Sequence, residues 1–249
     1  MTRLVVAGAT GYLGRFVVRT AADRDMHVTA LVRDRRRVDG ADEHVEVDYL
    51  RPETLEGVCD NADAVFSALG VTRQRDKVSI ADVEHTGNAN LLAEALRAGT
   101  PAFGVISVIH PEQFAGAELL THRERFIAEL RDAPIASTVV RATGFFNDID
   151  EVYAMARKGR VWLIGSGTTR INPIHGADLA AACLDALGTG TPQIQVGGPE
   201  TFTMDEIADL AFRIADRPRR VTHLPDWLVG AALATSRVVS PRSANIIDF

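Results

Sequence analysis

Gly8-Ala9-Thr10-Gly11-Tyr12-Leu13-Gly14 is the stretch whose reading decides the fold. The residues before it, Leu4 to Ala7, form a short continuous apolar run, the pattern of a buried strand. Those after it carry Leu13, Phe16, Val17 and Ala21 at helical spacing. Glycines between a strand and a helix permit a tight turn, let backbone N–H groups approach a diphosphate, and allow close helix–strand packing. The helix N-terminus adds a partial positive charge at the same point. Gly8, Ala9, Thr10, Gly11, Tyr12, Leu13 and Gly14 therefore read as the diphosphate-binding turn of a dinucleotide site.

Outward from this turn, strand-like and helix-like patterns alternate. Val28 to Val32, Val45 to Val47 and Ala64 to Ala68 read as strands, the last closed by Leu69-Gly70. A helical pattern from about Ile80 to Ala98 presents Leu91, Leu92, Ala95 and Leu96 on one face. A strand from Phe103 to Val108, a helix from Glu118 to Leu130 and a strand from Thr138 to Val140 follow. Continuous apolar strands separated by helices describe an α/β chain with a doubly wound parallel sheet buried on both faces. After Arg141 the patterns shorten and glycine-rich connections appear (Gly165-Ser166-Gly167, Gly197-Gly198-Pro199), the mark of a small C-terminal lobe. The expected division is a core of mainly 1–142 plus about 174–190, with a smaller lobe from about 143–173 and 191–249.

The ends of the next strands complete the cofactor reading. Arg33 closes the second strand, where an NAD site normally places an acid on the ribose 2′-hydroxyl; its planar fork suits a 2′-phosphate. Asp34 beside it opposes the argument, and the reading favours NADP(H) over NAD(H). Asp48 and Tyr49 follow the third strand, where side chains can flank an adenine. Ala68, Leu69 and Gly70 follow the fourth, where small residues let backbone pass close to a ribose.

Composition narrows the partners. The chain holds 33 acidic against 27 basic residues, a net charge of −6, which argues against nucleic acid. The basic cluster Arg33, Arg35, Arg36 and Arg37 is too small for a duplex footprint. Cys59 and Cys183 match no metal-ligand spacing and suggest a reducing compartment, so no metal is expected. No run approaches the roughly 18–20 apolar residues of a membrane span, and the N-terminus lacks the features of a signal peptide. The sequence reads as a soluble, cytoplasmic protein.

The ordered set GATGYLG (8–14), LVR (31–33), SALG (67–70), TGNANLLAEA (86–95), VISV (105–108), VVRATGFF (139–146), INPIHGADLA (171–180) and GGPETFTMDEIA (197–208) resembles the atypical short-chain dehydrogenases/reductases. It is nearest their NmrA-like and complex-I-associated NAD(P)-binding branch. The resemblance spans nearly the whole chain and implies a Rossmann-like core with a C-terminal substrate lobe. It also implies that Ser107, Ala142 and Gly144 join the cofactor-contacting residues, because the segment after Arg141 passes near the nicotinamide in that family.

The chain departs from the family in its chemistry. The standard pair is a Tyr and a Lys four residues apart, the Lys lowering the phenol pKa so that it can exchange a proton near neutrality. Lysine occurs only at 77 and 158, and four residues earlier stand Arg73 and Ala154. The family's Tyr position corresponds to Leu119 and its Lys position to Arg123. Ser107, His110 and Arg123 are the candidates for a substitute role: a hydroxyl, an imidazole that titrates near neutrality, and a cation that can hold a ribose hydroxyl but not donate a proton. His175 reads as a helix-entry residue, and Phe145, Phe146 and Trp162 as core or as the lining of an apolar pocket. Two functions stay open: an NADP(H)-dependent oxidoreductase on a small carbonyl or quinone, and a non-catalytic NADP(H)-binding sensor or assembly protein. Isomerase chemistry is a third.

Overall fold

A computed structural model describes residues 2–34, 37–70, 78–114, 116–225 and 227. Arg35 and Arg36, and most of the segment after Leu224, lie outside the described residues. The chain divides into two compact units, Met1–Ala142 with Gly176–Val196, and Thr143–His175 with Gly197–Phe249.

The first unit is built on β1 (Arg3–Ala7), β2 (His27–Val32), β3 (Glu43–Glu46), β4 (Ala64–Ser67), β5 (Ala102–Val108), β6 (Ala136–Ala142) and a seventh strand, Gln193–Val196. Between them run the helices α1 (Tyr12–Ala22), α2 (Gly87–Arg97) and α3 (Glu118–Asp132), and Gly176–Thr189 forms a fourth helix before the last strand. The sheet order is β3-β2-β1-β4-β5-β6 and then the seventh strand, with every neighbouring pair parallel. Parallel neighbours need helical crossovers, which cover both faces and bury the central strands. Leu4 to Ala7 and Ala64 to Ser67 are accordingly buried at every position. Phe103, Phe126, Leu91, Leu130 and Val139 fill the core under α2 and α3, with the two phenyl rings edge-on at 6.0 Å. Truncating one such ring typically costs about 3–5 kcal/mol.

The helical pattern expected from about Ile80 begins as a π-helical turn, Asp82–Thr86, that buries Glu84 before α2 continues. The seventh strand corrects the expected division, which gave residues 191–249 to the smaller lobe. Gln193 to Val196 pairs with Val139 to Ala142 at the sheet edge. Its sequence, Gln-Ile-Gln-Val, alternates polar and apolar because an edge strand is half exposed, so it lacks the continuous apolar run that announces the others.

The second unit contains α4 (Phe146–Arg157), β7 (Val161–Ile164), β8 (Arg170–Ile171), β10 (Phe202–Thr203), α6 (Met204–Ile214) and β11 (Val221–Leu224), with α5 and β9 denoting the first unit's Gly176–Thr189 and Gln193–Val196. β7 and β11 form a parallel pair, and β8 and β10 an antiparallel one. Its core joins Val152 and Ala156 of α4 and Ile207, Ala208, Ala211 and Phe212 of α6 to Val161 and Leu163 of β7. α6 starts with a capping box: the Glu206 N–H donates to Thr203 Oγ1 (3.2 Å) and the Thr203 N–H to Glu206 Oε2 (2.7 Å), satisfying two orphan donors of the first turn. Trp162 and Phe146 are exposed here rather than core.

Candidate functional site

Because the seven strands are parallel, the segments that follow β1, β2, β3, β4, β5 and β6 all leave one edge of the sheet. The chain runs from β1 outward to β3 and then returns to β4 on the other side of β1, so the strand order reverses between β1 and β4. Ligands of such sheets bind at that reversal, beyond the carboxyl ends of the strands. Gly8 leaves β1 there with φ +69°, and a Cβ added to it would lie 2.7 Å from the Ala68 carbonyl oxygen that follows β4. A Cβ at Gly14 would overlap the Gly8 carbonyl oxygen, so the third glycine is what lets α1 start against the turn. Gly11 caps α1 without a side-chain hydrogen bond, and the first turn carries no acid. The N-terminus of α1 therefore carries neither a side-chain cap nor an acid, and its dipole suits a diphosphate.

Within the turn, Ala9 and Leu13 are buried and serve packing, while Thr10 and Gly11 are exposed. Tyr12 packs edge-on against Phe16 at 5.2 Å, and its hydroxyl accepts from the Gly176 N–H at the start of α5 (3.3 Å). Arg33 is exposed immediately beyond β2. The exposed Asp48 forms an Asx turn, its Oδ1 accepting from the Leu50 N–H at 3.0 Å. Tyr49 does not present a ring to this edge. It is buried, its hydroxyl accepts from the Gly8 N–H (3.1 Å) and donates to the Leu31 carbonyl (3.2 Å), and burial pushes its pKa up against the opposing Gly8 hydrogen bond and the Arg33 charge. Tyr49 thus braces the glycine turn from inside, correcting its reading as an adenine-flanking residue. The turn and the strand ends, with Arg33, Asp48, Ala68, Leu69 and Gly70, fit a dinucleotide; Gly144 belongs to the second unit.

The β5–β6 side differs. Ser107 is buried, its Oγ donates to Glu124 Oε1 (2.9 Å), and Arg141 closes the group by donating to Glu124 Oε1 (2.9 Å), Glu124 Oε2 (2.7 Å) and the Val108 carbonyl (3.2 Å). Arg141 Nε also reaches Gln193 Oε1 of β9 at 3.2 Å. Burial pushes the Glu124 carboxyl up, but the hydrogen bonds from Arg141 and Ser107 prevail and hold it below the ordinary range. Arg123 is buried too. It pairs with the fully buried Glu84, Nε (2.7 Å) and Nη2 both donating to Oε2, and donates to the Ile106 and Leu69 carbonyls at 3.3 Å each. The candidates Ser107 and Arg123 are therefore structural partners in buried ion-pair networks rather than groups presented to a ligand. Ala142 is buried at the end of β6, where its carbonyl accepts from the Ile109 N–H at 2.9 Å.

His110, with φ +50°, is exposed, and its Nδ1 lies 3.1 Å from Glu112 Oε1. Hydrogen bonds from its own backbone N–H and from His110 hold the Glu112 carboxyl below its usual range. His175 lies in the second unit with its ring 6.0 Å from that of Phe146. Glu84, Glu124 and Asn88, which accepts from Ser67 Oγ at 2.5 Å, are the residues that sequence reasoning missed. Their partners stand 39, 17 and 21 residues away, beyond any local pattern. Among the described residues no group of three or more His, Cys, Asp or Glu is placed to hold a metal ion. No helix among them is long and apolar enough to cross a membrane. Burial pushes the Cys59 thiol up to about 12, with the Glu94 charge adding to the effect.

Comparison with known proteins agrees with this geometry. The chain is 28% identical over 231 residues to the photosystem II assembly factor Ycf39 of Guillardia theta, covering 89% of this chain and 73% of that protein. It is 24% identical over 266 residues to the chloroplastic divinyl chlorophyllide a 8-vinyl-reductase of Arabidopsis thaliana, covering 94% and 64%. The crystal structure of the NADPH-dependent quinone oxidoreductase QOR2 from Escherichia coli, complexed with NADPH, shares the fold with a TM-score of 0.78 at 17% identity, covering 98% of this chain and 87% of that one. The model of the NAD(P)H-binding family matches residues 8–189. Rossmann-like sheet, glycine turn and sequence together make this chain a member of the NAD(P)H-binding family, with relatives in the atypical short-chain dehydrogenase/reductase group.

Proposed function

We propose that this chain binds NADP(H) in preference to NAD(H) and acts as an oxidoreductase on a quinone-type or small carbonyl acceptor, quinones being the better substrates. The diphosphate is held at the N-terminus of α1 and the 2′-phosphate by Arg33, whose charge-assisted fork suits it. Bound there, the coenzyme supplies a hydride. The observation that carries the substrate class is the closure of the β5–β6 side, where Arg123 and Ser107 are committed to Glu84 and Glu124; the resemblance puts Leu119 at the family's Tyr position. An acceptor that leaves a phenolate on reduction, whose conjugate acid has a pKa of roughly 10, takes its proton from water without a protein acid. A simple ketone leaves an alkoxide, for which a lost general acid typically costs about 10²–10⁴-fold. His110 is exposed, and it is not required for this chemistry. Quinone oxidoreductase QOR2 has the same fold, which supports the reading by analogy.

The experiment is NADPH oxidation by nucleotide-stripped protein with a panel of quinones and simple aldehydes, alongside calorimetry with NADPH and NADH. Turnover confined to quinones, with at least about tenfold tighter NADPH binding, is the expected result. A second reading, a non-catalytic NADP(H)-binding regulatory or assembly protein, is favoured by the same closure and by the assembly factor among the relatives. Tight NADPH binding with no turnover of any acceptor would establish it in place of the first.

A further inference from the structure

Both tryptophans of the chain belong to the second unit and both are exposed, Trp162 at 47% and Trp227 at 70%. Trp162 stands on β7, where burial alternates: Val161 and Leu163 enter the core with α4 and α6, while Trp162 and Ile164 point out. On β11 the register sets Thr222 beside Trp162 and Leu224 beside Ile164, so one sheet face carries these four side chains. Trp162 and Ile164 thus form an exposed apolar pair on that face.

The edge at which β7 and β11 begin is basic. The turn entering β7 carries Arg157, Lys158 and Arg160, and the turn entering β11 carries Arg217, Arg219 and Arg220, all exposed. The Val161 N–H donates to the Arg220 carbonyl at 3.0 Å, which sets the two turns side by side. Arg219 is held toward α6 by Asp205 and Asp209. Asp216 is the one acid in residues 157–160 and 216–220, within a chain whose net charge is −6. Arg160 joins this edge to the face: its guanidinium lies 5.4 Å from the Trp162 ring centroid, and its Nη1 donates to Thr222 Oγ1 at 2.8 Å.

We propose that this face docks on an anionic lipid bilayer, Trp162 and Ile164 entering the boundary between headgroups and acyl chains while Arg157, Lys158, Arg160, Arg217 and Arg220 meet lipid phosphates. Tryptophan prefers that boundary, and long cationic side chains bury their stems there with their heads in water. Each cation near an anionic surface adds a modest, salt-screened attraction, so a handful give reversible attachment, not insertion. An acidic peptide would satisfy the cations but leave Trp162 and Ile164 in water, whereas an anionic bilayer takes up both the cations and the apolar pair.

The test uses the full-length chain carrying Trp227→Phe, so that Trp162 is the only indole reporter. It is mixed with phosphatidylcholine vesicles, with or without phosphatidylglycerol. The proposal expects a blue shift of Trp162 emission and quenching by brominated acyl chains only with phosphatidylglycerol, reversed by salt. The double variant Arg157→Gln, Lys158→Gln should lower partitioning about fivefold per cation removed, with coenzyme binding intact as the folding control. Absence of vesicle binding overturns the proposal, as does binding that leaves Trp162 unquenched. Trp162 already shielded from acrylamide in lipid-free protein, or binding tighter to polyglutamate than to vesicles, overturns it equally, since the face would then belong to the chain itself, a second copy or an acidic protein.

Discussion

The two halves of the first unit's strand-end edge are built differently. Around β1, β2 and β4 the chain offers backbone: an uncapped helix start, a turn of small residues, and an exposed Arg33. Around β5 and β6 it offers side chains that have already chosen one another, Arg123 with Glu84 and Arg141 with Glu124 and Ser107. On the proposed reading the coenzyme meets mainly backbone, whereas Arg123 and Ser107, which the resemblance sets at the usual proton machinery, have become internal braces. Binding and chemistry can therefore diverge within one sheet: the first depends on main-chain geometry set by glycine, the second on two or three replaceable side chains.

The largest effect that would break this contrast is expected at the brace. Arg123→Met takes the guanidinium away from the buried Glu84 carboxylate, and lowers unfolding free energy by about 3–5 kcal/mol in urea titration. Replacing both residues with apolar ones of similar size should restore most of that loss, whereas a catalytic Arg123 would show unchanged stability and lost turnover. Next comes Gly14→Ala. Its methyl meets backbone that cannot yield, so coenzyme heat disappears in calorimetry and stability falls by about 1–3 kcal/mol.

Arg33→Ala sharpens the open side. NADPH affinity should drop roughly 10- to 100-fold, as for a lost charge-assisted hydrogen bond, with NADH affinity unchanged. The smallest effect concerns Glu124. Its carboxyl is held below the ordinary 4.5, so its contribution is fully present above that value and disappears as pH falls through the lower folded-state pKa. Glu124→Gln should lose about 1 kcal/mol at neutral pH and flatten the acid limb of stability against pH, followed by thermal unfolding at a series of pH values.

Much of this is legible in the sequence itself. The glycine turn announces itself because its chemistry is local: strand, turn and helix adjoin in sequence, and each glycine answers a steric demand nearby. The central strands were equally plain, since burial on both faces leaves uninterrupted apolar runs. What escaped were features whose cause lies far along the chain. Arg123 looks like an exposed helix cation until Glu84, in a π-helical turn, is brought against it. Tyr49 looks like a ligand-facing aromatic at a strand end until its hydroxyl is found between Gly8 and Leu31. The strand Gln193–Val196 hid because half-exposed edges mix polar with apolar residues.

The Tyr49 crossbeam has a consequence for alkaline behaviour. Burial keeps its phenol protonated well beyond the pH at which solvent-facing tyrosines ionise, so the tie between the first loop and the second strand does not loosen as base is added. The mouth that receives the coenzyme is accordingly braced by a peg indifferent to alkalinity, and keeps its contour for as long as the surrounding core stays folded.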